Sequence, residues 1–120
     1  VLIADDSPSI RRCLAFAIEP WGSRIVEAAD GEEACRLAFA GLPELILLDQ
    51  DMPGFTGVKA ASILRADRRF DRTAIVIVSG QSEEKLGGPP PYDAWIGKPF
   101  SAADLREQLL RKFAHRRANR

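Results

Sequence analysis

The chain has 120 residues and 46% hydrophobic content, which suits one domain built on one core and is too short for two. Seventeen basic residues balance seventeen acidic ones, so overall charge argues neither for wholesale nucleic-acid binding nor for an acidic repellent surface, and any electrostatic function must be local. No apolar run approaches the roughly 20 residues of a membrane span, and no basic-then-apolar leader opens the sequence. Cys13 and Cys35 show neither metal-ligand spacing nor a disulfide framework, and read as buried free thiols of a cytoplasmic protein.

Strands and helices alternate along the chain. Residues 1–4 form a short apolar strand, and because the sequence begins inside it, native residues are expected ahead of Val1. Ser7-Pro8 is a helix start, a capping hydroxyl with proline in the first turn. Ile10, Cys13, Leu14, Ala17 and Ile18 then recur at helical spacing up to a stop near Pro20 and Gly22. A second strand covers 24–28. Asp30-Gly31 opens a second helix with Ala34, Leu37 and Ala38 inward, ended by Gly41 and Pro43. The third strand, 44–48, is apolar through its centre, as expected of a strand covered on both faces. After a turn with Pro53, Gly54 and Gly57, a third helix carries Val58, Ala61, Ile63 and Leu64. Residues 73–78 make a fourth strand and 94–96 a short fifth, and Ser101 caps a last helix carrying Leu105, Leu109, Leu110 and Phe113.

Five strands alternating with helices imply a parallel sheet covered on both faces, because parallel neighbours need crossovers of one hand. The expected fold is therefore α/β and flavodoxin-like, with strand order 2-1-3-4-5 and a switch point between the first and third strands. Ligands bind there, beyond the carboxyl ends of the strands. Asp5-Asp6 closes the first strand and Asp49 the third, so three carboxylates should meet in one crevice. Their mutual repulsion calls for a hard divalent cation with oxygen ligands, and Mg2+, which pairs with phosphate oxygens, is the natural candidate. Ser79 closes the fourth strand and Lys98 follows the fifth. A phosphoryl group on Asp49 would face the cation, a hydroxyl and an ammonium, an electrostatic clamp suited to phosphoryl transfer with the carboxylate as nucleophile.

Four segments in order resemble the receiver domain of two-component response regulators. They are Asp5-Asp6, then Leu47-Leu48-Asp49-Gln50-Asp51-Met52-Pro53-Gly54, Val78-Ser79-Gly80, and Lys98-Pro99-Phe100. The match spans essentially all of residues 1–120. The resemblance implies that Asp49 accepts a phosphoryl group from a phosphohistidine on a sensor histidine kinase or phosphotransfer protein. It further implies Mg2+ held by Asp6, Asp49, the backbone carbonyl of Asp51 and, through water, Asp5. Lys98 would bridge to the phosphoryl group and Ser79 would move toward it as the switch. Such a domain is a phosphoacceptor that assists its own phosphorylation and dephosphorylation rather than a turnover enzyme. The output is left open between a stand-alone receiver and one joined to an effector domain outside these residues, with no membrane and no direct nucleic-acid contact expected of the domain itself.

One region departs from the family pattern. Only 19 positions separate Ser79 from Lys98, and they include Gly87-Gly88-Pro89-Pro90-Pro91. Three prolines exclude a helix interior there, so the family's fourth helix should be short, covering only 83–86, or absent. Trp95 stands where the family more often carries a tyrosine or phenylalanine that follows the switch hydroxyl. Trp95 is the counterpart switch residue, but an indole is larger and donates only through its ring nitrogen, so the resemblance alone does not carry the usual inward swing over to it, nor the dimer mode that uses this face.

Simpler roles exist for several of these residues. Asp5 and Asp6 also suit a helix N-terminus, and His115 within the basic run Arg111 to Arg120 reads as a solvated cation at a helix end. Two other functional classes stand beside the receiver. Asp49-Gln50-Asp51 also resembles the nucleophile segment of haloacid-dehalogenase-like phosphatases, although a late acidic motif and a cap are lacking and Asp5-Asp6 would have no role. A receiver-like interaction module that is never phosphorylated would keep the fold and use its surface alone.

Overall fold

The computed structural model describes residues 1–19, 24–83, 87–98 and 100–118, with side chains described as far as residue 112. The expected stop near Pro20 and Gly22, the expected helix at 84–86, and the side chains of Pro99, Phe113, His115 and the basic run beyond Lys112 lie outside the described residues. Among the described residues the order is β1 (Leu2–Ala4), α1 (Pro8–Ala17), β2 (Val26–Ala28), α2 (Gly31–Gly41), β3 (Leu45–Asp49) and α3 (Gly57–Arg65). A 3-10 turn (Arg68–Phe70), β4 (Ala74–Ser79), β5 (Ala94–Gly97) and α4 (Ala102–Ala118) follow. No described residue between β4 and β5 is helical, Glu83 included.

All five strands are parallel, in the order β2-β1-β3-β4-β5. This is the flavodoxin-like architecture that the alternation implied. Successive side chains of a strand leave opposite faces, so the continuous apolar runs of β3 and β4 fill two cores at once. Leu45, Leu47, Val76 and Val78 pack with Leu14, Ala17, Ile18, Leu105 and Leu109 under α1 and α4. Ile46, Leu48, Ile75 and Ile77 pack with Ala34, Ala38, Ala61, Leu64 and Phe70 under α2 and α3. Each fully buried aliphatic side chain there contributes about 1.5–3 kcal/mol relative to exposure.

Local capping fixes where the helices begin. Side-chain oxygens of Ser7, Asp30, Thr56 and Ser101 accept the backbone N–H three residues on, satisfying donors the first turn leaves unpaired. Glu33 also accepts from the Ala29 N–H, tightening the entrance to α2.

The structure adds one burial detail and corrects two expectations, the burial of Cys13 and the bounds of the second strand. Leu110 is exposed, because Leu105 and Leu109, one turn apart, take the seam against the sheet and the next residue turns about 100° away. Cys13 is only half-buried at the margin of α1, whereas Cys35 is buried. β2 covers only Val26–Ala28, and Val26 and Glu27 are exposed because this strand is a sheet edge. The 3-10 turn was not foreseen; it lets Phe70 enter the core, where its ring meets Phe39 edge-on.

At the start of β4 a second device ties the layers. The Arg65 guanidinium donates to the carbonyls of Phe70 and Thr73 and to the Asp93 carboxylate, which also accepts the Ile75 N–H. Among the described residues no helix is long and apolar enough to cross a membrane.

Candidate functional site

β1 and β3 are neighbours, with Ala4 opposite Leu48, so the residues that follow them, Asp5 and Asp49, emerge side by side. Asp5, Asp6 and Asp49 bring carboxylate oxygens within 4.8 Å of one another. Asp5 and Asp49 are buried and Asp6 is exposed, so the cluster opens to solvent on one side. Lys98, just beyond β5, closes the other side. Its ammonium lies 3.1 Å from Asp49 Oδ1 and 3.3 Å from Asp5 Oδ2.

The electrostatics follow from this crowding. Burial lifts the Asp49 carboxyl above the ordinary carboxylate range and the neighbouring Asp5 charge adds to the lift, while hydrogen bonds from Lys98 and the Asp51 backbone oppose it. Burial works against the Lys98 charge, yet its hydrogen bonds and ion pairs with Asp49 and Asp5 raise the ammonium above the ordinary lysine value. Among the described residues, one ammonium thus faces two buried carboxylates with a third beside them, an excess of negative charge. The donor set is all oxygen, which suits a hard cation such as Mg2+.

The loop after β3 is shaped by close approach. A Cβ on Gly57 would meet the Asp49 carbonyl at 2.7 Å, so only glycine lets α3 start against the end of β3. Gly54 has φ 79°, the left-handed region open to glycine, and turns the chain back toward α3. Gln50 Oε1 accepts the Val58 N–H at 2.9 Å, which holds the mouth of α3 to the residue after Asp49. Asp51 is exposed in this turn.

Ser79 ends β4 and is fully buried. Its hydroxyl accepts the Gln81 N–H at 2.9 Å, and its carbonyl accepts the Lys98 N–H at 2.7 Å. Trp95 lies opposite Ile77, half-buried on the α2–α3 side, with its indole N–H donating to the Gln81 carbonyl at 3.1 Å. The ring packs at a tilt against buried Tyr92, whose hydroxyl donates to Glu83 at 2.6 Å. The structure therefore joins Asp5, Asp6, Asp49 and Lys98 in one cluster, with Ser79 on the adjacent strand end and Trp95 linked to it through Gln81.

Several contributors had no sequence signal of their own. Arg11, four residues into α1, donates to the Asp5 carbonyl at 2.7 Å and pairs with Glu27 of β2 at 2.8 Å. Gln50 and Gln81 likewise act through bonds that only the folded turns create. Gln50 was visible within the Asp49 segment, but its amide's role as a cap for α3 was not.

A family model described as the response regulator receiver domain matches residues 1–110. The phosphate regulon transcriptional regulatory protein PhoB of Pseudomonas aeruginosa is 34% identical over 112 residues, covering 91% of this chain and 49% of that protein. Across the first curated relatives it matches, the chain spans about half of their length or less. Among solved structures, the chemotaxis response regulator CheY4 of Vibrio cholerae superposes with TM-score 0.82 at 29% identity, over 92% of this chain and 94% of that one. The response regulator TrrA of Thermotoga maritima, solved in complex with Mg(2+)-BeF, gives TM-score 0.79 at 29% identity, over 92% and 95%. With the strand order and the acidic cluster already in place, the chain belongs to the response regulator receiver domain family.

Proposed function

We propose that residues 1–120 act as one phosphoacceptor domain of a cytoplasmic phosphorelay, with Asp49 as the accepting side chain. The observation that carries this reading is the Lys98 ammonium bridging buried Asp49 and Asp5, with Asp6 in reach. An Asp49 carboxylate oxygen attacks phosphorus of a phosphohistidine on a sensor histidine kinase or phosphotransfer protein. The O–P bond forms as the N–P bond breaks, and the imidazole leaves with the electron pair and takes up a proton. The product on this chain is an acyl phosphate.

The residues divide the work. Asp6, Asp49 and the Asp51 carbonyl would hold Mg2+ directly and Asp5 through water, and the bound ion would neutralise charge on the phosphoryl oxygens. Lys98 transfers its contact from the Asp49 carboxylate to the phosphoryl group. Ser79 exchanges its Gln81 partner for a phosphoryl oxygen, and Trp95, tied to the same Gln81, registers the exchange. That the similar regulator TrrA was solved in complex with Mg(2+)-BeF supports Mg2+ as the cation proposed here. The domain promotes its own phosphorylation and dephosphorylation without being a turnover enzyme, and any effector domain would lie outside these residues.

The test is incubation with acetyl phosphate and Mg2+, following intact mass and hydroxylamine lability. The parent should gain one stoichiometric, Mg2+-dependent phosphoryl group and Asp49→Asn none. Equal labelling of Asp49→Asn would sink the assignment. Steady turnover of a phosphomonoester would favour the phosphatase, and absence of any adduct would favour the interaction module.

A further inference from the structure

Asp6 differs from its neighbours in the cluster. Asp5 is held at its amide by the Ala28 carbonyl, at its carboxylate by the Ser7 N–H and Lys98, and at its carbonyl by Arg11. Asp6 is exposed, and among the described residues no hydrogen bond or ion pair holds its carboxylate. With no such hold, the carboxylate depends on the backbone that carries it, and the peptide leading into Asp6 carries the carbonyl that Arg11 grips at 2.7 Å.

Arg11 is itself anchored. Its side chain is 18% exposed and its Nε donates to Glu27 Oε1 at 2.8 Å, so the planar guanidinium spans from the edge strand β2 to the end of β1. Two donors of one rigid fork are used on two acceptors, a geometry that a single ammonium cannot reproduce. We propose that Arg11 is a positioning residue: by clamping the Asp5–Asp6 peptide between α1 and β2, it aims the Asp6 carboxylate at the cation site. This rests on the acidic cluster being a divalent-cation site.

The sign of one measurement separates positioning from charge. Arg11 is a cation beside a proposed cation site, so if it acted only through its charge, removing it would tighten Mg2+ binding. If it positions Asp6, removing it loosens binding.

The experiment uses the full chain. Arg11→Met keeps the aliphatic stem and loses the fork, Arg11→Lys keeps the charge and loses the fork, and Glu27→Ala keeps Arg11 but frees it. Backbone relaxation at Asp6 is measured with chelator present, and Mg2+ alone is then titrated. Both Arg11 variants should lower the order parameter at Asp6 from the rigid value of about 0.85 toward 0.6. Both should raise the Mg2+ Kd about tenfold, the lower end of what loss of a ligand-orienting group costs. Glu27→Ala should give a smaller loss in the same direction. Arg65→Met, which breaks a comparable clamp at the opposite end of the sheet, should leave both readouts unchanged. Tighter or unchanged Mg2+ binding in Arg11→Met, or an Asp6 order parameter equal to the parent's, overturns the proposal. If the parent binds no Mg2+, the cation reading fails, and the Asp6 order parameter still decides whether Arg11 holds the turn.

Discussion

Lys98 Nζ stands 3.1 Å from Asp49 Oδ1 although 49 residues separate the two in sequence, and both side chains are mostly buried at the ends of different strands. Each stabilises the other's charge against the cost of burial. Truncating Lys98 leaves Asp49 and Asp5 without their shared cation.

Lys98→Ala should therefore keep Mg2+ binding, because the acidic cluster survives and loses a competing cation. It should lose the response to phosphorylation at a distance. Chemical-shift changes away from Asp49 on phosphorylation should be largely absent in Lys98→Ala and present in the parent; equal changes in both would remove Lys98 from the switch. Lys98→Arg should not restore them, since a wide guanidinium fork does not replace a compact ammonium.

The raised Asp49 pKa gives a pH signature. A carboxyl lifted on folding binds its proton more tightly in the native state than in the unfolded state, so stability falls as pH rises from the unfolded value, about 3.9, through the lifted folded value. Asp49→Asn removes this loss. With chelator present, the urea midpoint of Asp49→Asn minus that of the parent should grow as pH rises from about 4 to 7. A difference that shrinks over that window would contradict the lifted Asp49.

Ser79, Gln81 and Trp95 form a chain of two hydrogen bonds, the Gln81 amide donating to the Ser79 hydroxyl and the Trp95 indole N–H to the Gln81 carbonyl. Ser79→Ala should free the Gln81 N–H, speed its amide exchange and shift Trp95 emission. In a Trp21→Phe background, a beryllofluoride phosphoryl mimic added to otherwise unaltered protein should move emission in the same direction as Ser79→Ala. Emission indifferent to both treatments would separate Trp95 from the switch.

The Arg65 clamp makes a stability prediction remote from the chemistry. It serves two carbonyls and the Asp93 carboxylate, and the ion pair is only about one quarter exposed. Arg65→Ala should cost about 1–3 kcal/mol by urea denaturation, scaled down from a fully buried network for solvent screening. Phosphorylation of Asp49 should be retained. A loss of labelling without a loss of stability would place Arg65 in the chemistry instead.

The sequence by itself carried whatever depends on neighbours along the chain. Helix starts at Ser7, Asp30 and Ser101 were legible because a cap bonds three residues ahead, and the unbroken apolar runs of β3 and β4 could be stable only in a sheet covered on both faces. Parallel crossovers then made Asp5, Asp6, Asp49, Ser79 and Lys98 strand-end residues. Tertiary structure decided what depends on reach and coverage. Periodicity named Leu110 as apolar but not how far the sheet extends beneath α4, and it marked 24–28 as a strand without showing that only Val26–Ala28 pair with β1. Arg11, Gln50 and Arg65 looked like ordinary surface residues, because a long polar side chain has many possible partners until the fold brings one carbonyl, amide or carboxylate within about 3 Å, and Gln81 acts through its backbone amide and carbonyl, which no residue type marks.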